Sequence, residues 1–327
     1  MCGIAGIVGR VSPAHRAALD RMNAAMAHRG PDGVGVWVSP PDADGFGCLL
    51  GHRRLAILDL SSAGDQPMLD SSGGGSRVIV YNGEIYNFID LRRELEQAGE
   101  RFTSSGDTAV MLRLLALHGP EAVTRLRGMF AFALWDNDAR RLVLARDPLG
   151  IKPLYVCRNP DPQGEWSLVF ASEVRTILAS GLLARPRLDR RAVAAVLWNG
   201  FVPGPITAVE GIESLGAGQL WLCDRSAEPL RRRYWTMPRP QDQAPIDEAE
   251  LRAIVHDSVA RHLVADVPLG VFLSGGIDSS AVAALAQRAN GAPVHTFTLA
   301  FDDAELNEGE FARVVATAIG TDRKSVV

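Results

Sequence analysis

The sequence predicts an α+β domain followed by the opening of an α/β domain built on a parallel sheet. Three observations carry this expectation. Apolar, strand-like runs separated by turn residues dominate the first two hundred positions, with few helical stretches between them. From Asp247 onward, strand-like and helix-like segments alternate. Between the two regimes lies WTMPRPQDQAP (Trp235–Pro245), with three prolines and little apolar content, which reads as a linker. The chain has 327 residues, comfortable for two domains, and 47% apolar and 22% charged residues, ordinary for globular material. The expected division is residues 1–215, a connecting segment over 216–245, and 246–327.

Taken in order, the elements rest on local chemistry. Ser71–Ser76 (SSGGGS) is a flexible loop by composition. Arg77–Tyr81 is rich in valine, isoleucine and tyrosine and reads as a strand, and Asn82-Gly83 carries a strong turn signal. FIDLRRELEQAG places Leu91, Leu95 and Ala98 on one helical face and ends at Gly99. GMFAFALWDNDARRLVLARD reads as a hairpin around Asp136-Asn137-Asp138, and LVFASE as a further strand. Arg231-Arg232-Arg233 reads as a solvated loop. Asp247 and Glu250 form a capping box for a helix whose apolar face is Leu251, Ile254, Val255, Val259 and Leu263. A strand (Leu269–Leu273), a loop, a helix (Ser279–Ala289), a strand (Val294–Phe301) and another helix follow.

Composition excludes some classes of function. Net charge is −4, without blocks of like charge, which argues against a nucleic-acid partner. No apolar run approaches a membrane span, and the N-terminus lacks the basic and apolar regions of a signal peptide. Cys2, Cys48, Cys157 and Cys223 are far apart and form no C-x-x-C metal or redox spacing, so a cytoplasmic protein is expected.

Two stretches carry chemistry. VFLSGGIDSS lies between a strand and a helix. Ser274, Gly275 and Gly276 allow a tight turn with bare N–H groups, and the helix start aims its positive end at the same place. Ser279 and Ser280 add hydroxyls. Asp278 is unusual in an anion cradle unless Mg²⁺ bridges it to phosphates. The same residues also suit a glycine-rich turn with Asp278 as a helix cap. MCGIAG places Cys2 next to the initiator Met. Cysteine is often a small buried hydrophobe. If Met1 is removed, however, Cys2 carries both a thiol and an α-amine with an ordinary pKa of about 7.7–8.0, a nucleophile and its base in one residue.

SGGIDSS closely resembles the pyrophosphate-binding loop of the ATP pyrophosphatases. MCGIAGI resembles the start of the class II glutamine amidotransferases. HRGPDG (His28–Gly33), HRRLAILDL (His52–Leu60), YNGEIYN (Tyr81–Asn87), SSGDTAV (Ser104–Val110), RDPLGIKPLYV (Arg146–Val156) and FASEV (Phe170–Val174) occur in that family's order, over most of residues 1–215. Together the two halves resemble the glutamine-hydrolysing asparagine synthetases. The resemblance implies an N-terminal-nucleophile sandwich of αββα layers, followed by the start of a Rossmann-like ATP pyrophosphatase domain.

It also implies roles. Cys2 is the nucleophile. Asn82, by its side-chain amide, and Gly83, by its N–H, form the oxyanion hole. Arg54 takes the glutamine α-carboxylate, with Arg53 its nearest competitor. Asp107, helped by Glu84, takes the α-ammonium. Leu273, Ser274, Gly275, Gly276, Asp278, Ser279, Ser280 and Leu299 hold ATP and its pyrophosphate, with Mg²⁺ reached by Asp278 through the phosphates. Glutamine, ATP and aspartate are the implied small-molecule partners, and a homodimer is open. Ammonia from the first site would attack adenylated aspartate to give asparagine, AMP and pyrophosphate. Amidation of another carboxylate, on a sugar, a peptide or a β-lactam precursor, stays open, as does glutaminase activity alone or a non-catalytic remnant. SGGIDSS argues against the phosphoribosyl and glucosamine types. The family pattern continues past residue 327, and RKSVV does not follow it, so a C-terminal truncation is expected. His28 and His52 read as structural, Asp32 as a turn former, the three remaining cysteines as buried and inert, and Trp135 and Trp198 as core.

Overall fold

A computed structural model describes residues 1–70, 76–161, 163–225, 228–239, 247–290, 293–303 and 307–326. It divides into two compact units, Met1–Met237 and Pro238–Val327. Residues 71–75 of the expected flexible loop and residues 240–245 of the expected linker lie outside the described residues.

In chain order the first unit holds β1 (Gly3–Arg10), α1 (Pro13–Ala25), β2 (Gly33–Val38), β3 (Phe46–Arg54), β4 (Met68–Leu69), β5 (Arg77–Ile85), α2 (Phe88–Gln97), α3 (Asp107–His118), β6 (Gly128–Asp136), β7 (Arg141–Arg146), β8 (Tyr155–Arg158), β9 (Trp166–Ala171), α4 (Val174–Ala179), α5 (Arg190–Asn199), β10 (Ile212–Ser214), β11 (Gln219–Cys223) and β12 (Leu230–Arg233). They build two six-stranded sheets, ordered β10-β8-β9-β1-β3-β2 and β12-β11-β7-β6-β5-β4. Pairing within both is antiparallel.

Strand periodicity sorts the apolar residues into three layers of core. Ile4, Val8, Leu50 and Phe170 of one sheet meet Val78, Val80, Ala133, Trp135 and Leu144 of the other. On the outer face of the first sheet, Ala5, Ile7, Leu49 and Val169 pack on Leu19 and Met22 of α1 and Ile177 of α4. On the outer face of the second, Ile79, Tyr81, Phe130 and Phe132 pack on Leu91 and Leu95 of α2 and Val110 and Leu114 of α3. The layers are therefore αββα, as expected. Burial on both faces explains why these strands read as continuous apolar runs rather than as alternating ones.

Several local expectations change. Asn82-Gly83 is not a turn: β5 runs through it, with Asn82 opposite Ala131 and Gly83 opposite Phe130. Glycine is required there by close approach, since a Cβ on Gly83 would lie 2.3 Å from the Met129 carbonyl oxygen. The Arg231–Arg233 run is solvated, but as strand β12 paired with β11 rather than as a loop. Its chain-mates over 219–233 complete the second sheet, so most of the connecting segment expected from residue 216 belongs to the first unit. Trp135 is buried, whereas Trp198 is 89% exposed, because α5 buries only Ala192.

The second unit holds α6 (Glu248–His262), β13 (Gly270–Phe272), α7 (Ile277–Ala289), β14 (His295–Leu299), α8 (Gly309–Ile319) and β15 (Asp322–Val326). Asp247 caps α6 by accepting the Glu250 N–H at 2.7 Å, as expected. Leu251, Ile254 and Val255 of that helix are exposed rather than buried. The sheet is parallel, in the order β13-β14-β15. Asp322-Arg323-Lys324-Ser325 had not read as a strand because it is polar. Backbone pairing with β14, not side-chain burial, makes it one.

Candidate active site

Cys2 stands at the head of β1, the strand clamped between β3 and β9. Its Sγ accepts the Leu55 N–H at 3.4 Å and faces the Leu55 carbonyl at 3.6 Å. Burial pushes the thiol up, opposed by the Leu55 backbone contact and the N-terminal charge. Burial lowers the α-amine at the chain start, with Arg29 and Lys152 acting in the same direction.

A cavity of about 40 Å³ joins Cys2 to Arg54, Gly83, Glu84 and Asp107, with Gln66, Tyr81 and Thr108 also on its wall. The first sheet supplies Cys2 and Arg54, the second Gly83 and Glu84, and the start of α3 supplies Asp107. Asn82 is fully buried, and among the described residues its Nδ2 has no hydrogen-bond partner. A buried amide donor left unmatched is costly and is retained where something else must accept from it.

Arg54 ends β3. Its Nη1 donates to Asp65 at 2.6 Å and to the Ser61 carbonyl at 2.8 Å, while Nη2 donates to the Asp59 carbonyl. Arg53, one residue earlier and on the other face of the strand, donates from Nε to the Asn23 carbonyl at 2.9 Å. Strand alternation thus decides between the two arginines: Arg54 lines the cavity. Asp107 is buried and accepts from Tyr81 Oη at 2.8 Å and the Ile85 N–H at 2.9 Å. Burial pushes its carboxyl up against the pull of those donors. Glu84 is pushed up to about 8, first by burial and then by the charge of Asp107, with Lys152 and the N-terminal amine opposing.

Sequence reasoning missed the supporting residues. Tyr81 sits in YNGEIYN but had read only as strand, and its hydroxyl orients Asp107. Gln66 accepts the Tyr81 N–H at 2.7 Å and donates to Thr108 at 3.3 Å, tying β5 to α3. Arg29 donates to the Cys2 carbonyl at 3.0 Å and to Glu173 at 3.0 Å. His28 also contacts Glu173, at 2.9 Å, and His52 is buried with Nε2 at 3.2 Å from the Tyr81 carbonyl oxygen. Asp32 accepts the Ala56 N–H at 2.9 Å. Cys48, Cys157 and Cys223 are buried, and burial pushes each thiol up, Cys157 to about 11 and Cys223 to about 12.

In the second unit Leu273 is buried beneath the loop, and Ser274–Gly276 turn from β13 into α7. Gly275 has φ +89°, and a Cβ there would lie 2.6 Å from Phe311 Cβ, so only glycine fits. Ser274 and Ser279 hydroxyls lie 2.9 Å apart, and the Gly276 N–H donates to Ser274 Oγ at 3.3 Å. Ser280 Oγ is buried without a partner. Asp278 is exposed in the first turn of α7, and Leu299 ends the neighbouring strand β14, also exposed. Among the described residues no group of three or more His, Cys, Asp or Glu could hold a metal by itself.

A four-layer αββα sandwich with a cysteine at the head of a central strand is the architecture of the N-terminal-nucleophile hydrolases. Residues 1–235 match the glutamine amidotransferase domain, and the chain belongs to that family. Residues 250–327 match the asparagine synthase domain. Asparagine synthetase [glutamine-hydrolyzing] 3 of Bacillus subtilis is 34% identical over 312 residues, covering 93% of this chain and 48% of the relative. Asparagine synthetase [glutamine-hydrolyzing] 1 of the same organism is 33% identical over 333 residues, covering 100% and 50%. The chain thus spans about half the length of the curated relatives it matches. Among solved structures, the glutamine phosphoribosylpyrophosphate amidotransferase of B. subtilis is similar at a TM-score of 0.54 and 15% identity, over 99% of this chain and 90% of that one, a likeness of fold. Among the described residues no helix is long and apolar enough to cross a membrane.

Proposed function

We propose that this polypeptide hydrolyses glutamine at Cys2 and that the ammonia serves an ATP-dependent amidation on the second unit. The acceptor is aspartate, its side-chain carboxylate adenylated to give asparagine. The observation that carries the first half is the convergence of Cys2, Arg54, Gly83, Glu84 and Asp107 on one cavity from the head of β1, the end of β3, β5 and the start of α3.

Met1 is removed in this reading, which turns the Cys2 nitrogen from an amide into an amine. The amine takes the thiol proton, and the thiolate attacks the glutamine side-chain carbonyl. Negative charge develops on the oxygen, where Asn82 Nδ2 and the Gly83 N–H can donate to it. The proton passes to the leaving nitrogen, ammonia departs, and water cleaves the thioester to glutamate. Arg54 takes the α-carboxylate in exchange for part of its contact with Asp65, which is exposed and replaceable. Glu84 and Asp107 take the α-ammonium, whose positive charge favours their ionised forms.

In the second unit the loop Ser274–Ser280, with the N-terminus of α7, cradles the phosphates of ATP, and Leu273 and Leu299 flank the nucleotide. Mg²⁺, when bound, neutralises phosphate charge and is reached by Asp278. A cytoplasmic setting suits the four free thiols.

The test is glutamate release from glutamine by the 327-residue protein and by Cys2→Ala, with mass spectrometry reporting Met1. Release that depends on Cys2 supports the reading, and release by Cys2→Ala at the wild-type rate overturns it. Asp278→Asn is expected to weaken Mg²⁺-dependent nucleotide binding, and unchanged binding returns that loop to a structural turn.

A further inference from the structure

Lys152 is a buried cation that the chemistry above does not use. The residue is 5% exposed, and the partner given to its Nζ is the Met1 thioether, at 3.3 Å. A thioether is a weak acceptor, so this ammonium is poorly satisfied for its burial.

The loop holding it is rigidly built. Asp147 accepts the N–H groups of Leu149, Ile151 and Lys152 at 3.1, 2.9 and 2.9 Å. Arg146 donates to the carbonyls of Lys152 and Gly150 at 2.7 and 2.6 Å. The fold therefore fixes an ammonium beside Met1, and its hydrogen-bond partner among the described residues is one that processing would remove.

We propose that Lys152 is a positioning residue of the Cys2 site: once Met1 is gone, its ammonium faces the Cys2 α-amine and keeps that amine in the neutral, proton-accepting form. The assignment rests on the proposed role of Cys2. The charged groups facing Lys152 are Glu84 from β5, Arg29 from the turn Ala27–Arg29, the Cys2 thiol, and Asp147 on its own loop. Burial lowers the Lys152 ammonium and Glu84 opposes that, while Lys152 and Arg29 together disfavour a second positive charge on the amine. Loss of Lys152 leaves Arg29 as the one cation of this group that acts on the amine.

The experiment uses the Met1-free protein, verified by mass, and Lys152→Met, Lys152→Gln and Lys152→Arg. Two readouts are followed against pH: kcat/KM for glutamine, and labelling of the Cys2 α-amine by acetic anhydride, read by peptide mass. The neutral variants are expected to move the acid-side midpoint of both profiles up by at least half a pH unit, with KM changed less than twofold, and Lys152→Arg to restore it. The Gln variant carries the test where Met does not fold. Profiles that superimpose on wild type overturn the proposal, as does retention of Met1 in the purified protein. A shifted labelling midpoint without glutamine turnover in wild type supports Lys152 while sinking the hydrolase reading.

Discussion

The two units place candidate sites in contrasting ways. In Met1–Met237 the site is walled by both sheets and by α3, with Arg54 and Asp107 buried and Glu84 partly buried. In Pro238–Val327 the loop Ser274–Ser280 stands at the open end of a three-stranded sheet whose buried cluster is Leu273, Ala283, Ala312 and Ala316. That small core leaves Phe272, Ile254 and Val255 exposed around an apolar cavity of about 1020 Å³ lined by α6, β13 and α7. The contrast teaches that tuning acids and bases by desolvation needs an enclosing tertiary structure, whereas a phosphate cradle made of backbone N–H groups needs only a strand, a turn and a helix.

The largest effect that would sharpen this comparison is Cys2→Ala, expected to lower glutamine hydrolysis by at least about 10³-fold with an unchanged circular dichroism spectrum. Asn82→Ala comes next. Loss of one oxyanion donor is expected to cost about 10²–10³ in kcat, with KM nearly unchanged, measured by steady-state glutamate release. An Asn82→Ala enzyme with normal kcat would reduce Asn82 to a structural residue and weaken the contrast.

Gly275→Ala tests the open unit. The added Cβ meets Phe311 and the backbone of Ala312 at a positive φ, so a loss of about 1–3 kcal/mol in the stability of the second unit is expected, measured by proteolysis of residues beyond 237.

Glu84 tests desolvation by pH. Its folded pKa, about 8, lies above its ordinary value of 4.5. The folded state therefore binds more protons than the unfolded state between those limits, and stability contributed by the protonated group is lost as pH rises through that window. Glu84→Gln is expected to flatten this decline in urea denaturation between pH 5 and about 8. A decline of the same slope in the variant would remove Glu84 as its source. The smallest effect is expected at Trp198→Ser, under about 0.5 kcal/mol, because the ring is 89% exposed.

Local signals were legible where the backbone or a short spacing decided the outcome. The Asp247 N-cap of α6 and the Ser274–Gly276 turn are examples. They failed where strand pairing overrode propensity. Asn82-Gly83 has a hairpin composition yet lies inside β5, because the β5–β6 ladder runs on to Ile85 opposite Gly128. Arg231–Arg233 and Asp322–Val326 looked polar and unstructured, yet the first pairs with the preceding strand β11 and the second with β14, across α8. Trp198 looked like core because aromatic residues usually are, but burial belongs to the packed helix face, and α5 turns that side outward.

The sequence by itself determined the strand–helix alternation after Asp247 and the glycines of the Ser274–Gly276 turn, since each follows from periodicity or the absence of a Cβ, while the αββα layering followed from the resemblance to the class II glutamine amidotransferases. Only the tertiary structure decided that Arg54 rather than Arg53 meets the cavity, that Tyr81 orients Asp107, that Asn82 keeps an unmatched donor, and that Lys152 is buried against Met1. Those facts depend on which residues of distant strands share a wall and how much water is excluded there. Hydrogen-bond geometry and desolvation are set by that enclosure, and no local stretch of sequence contains it.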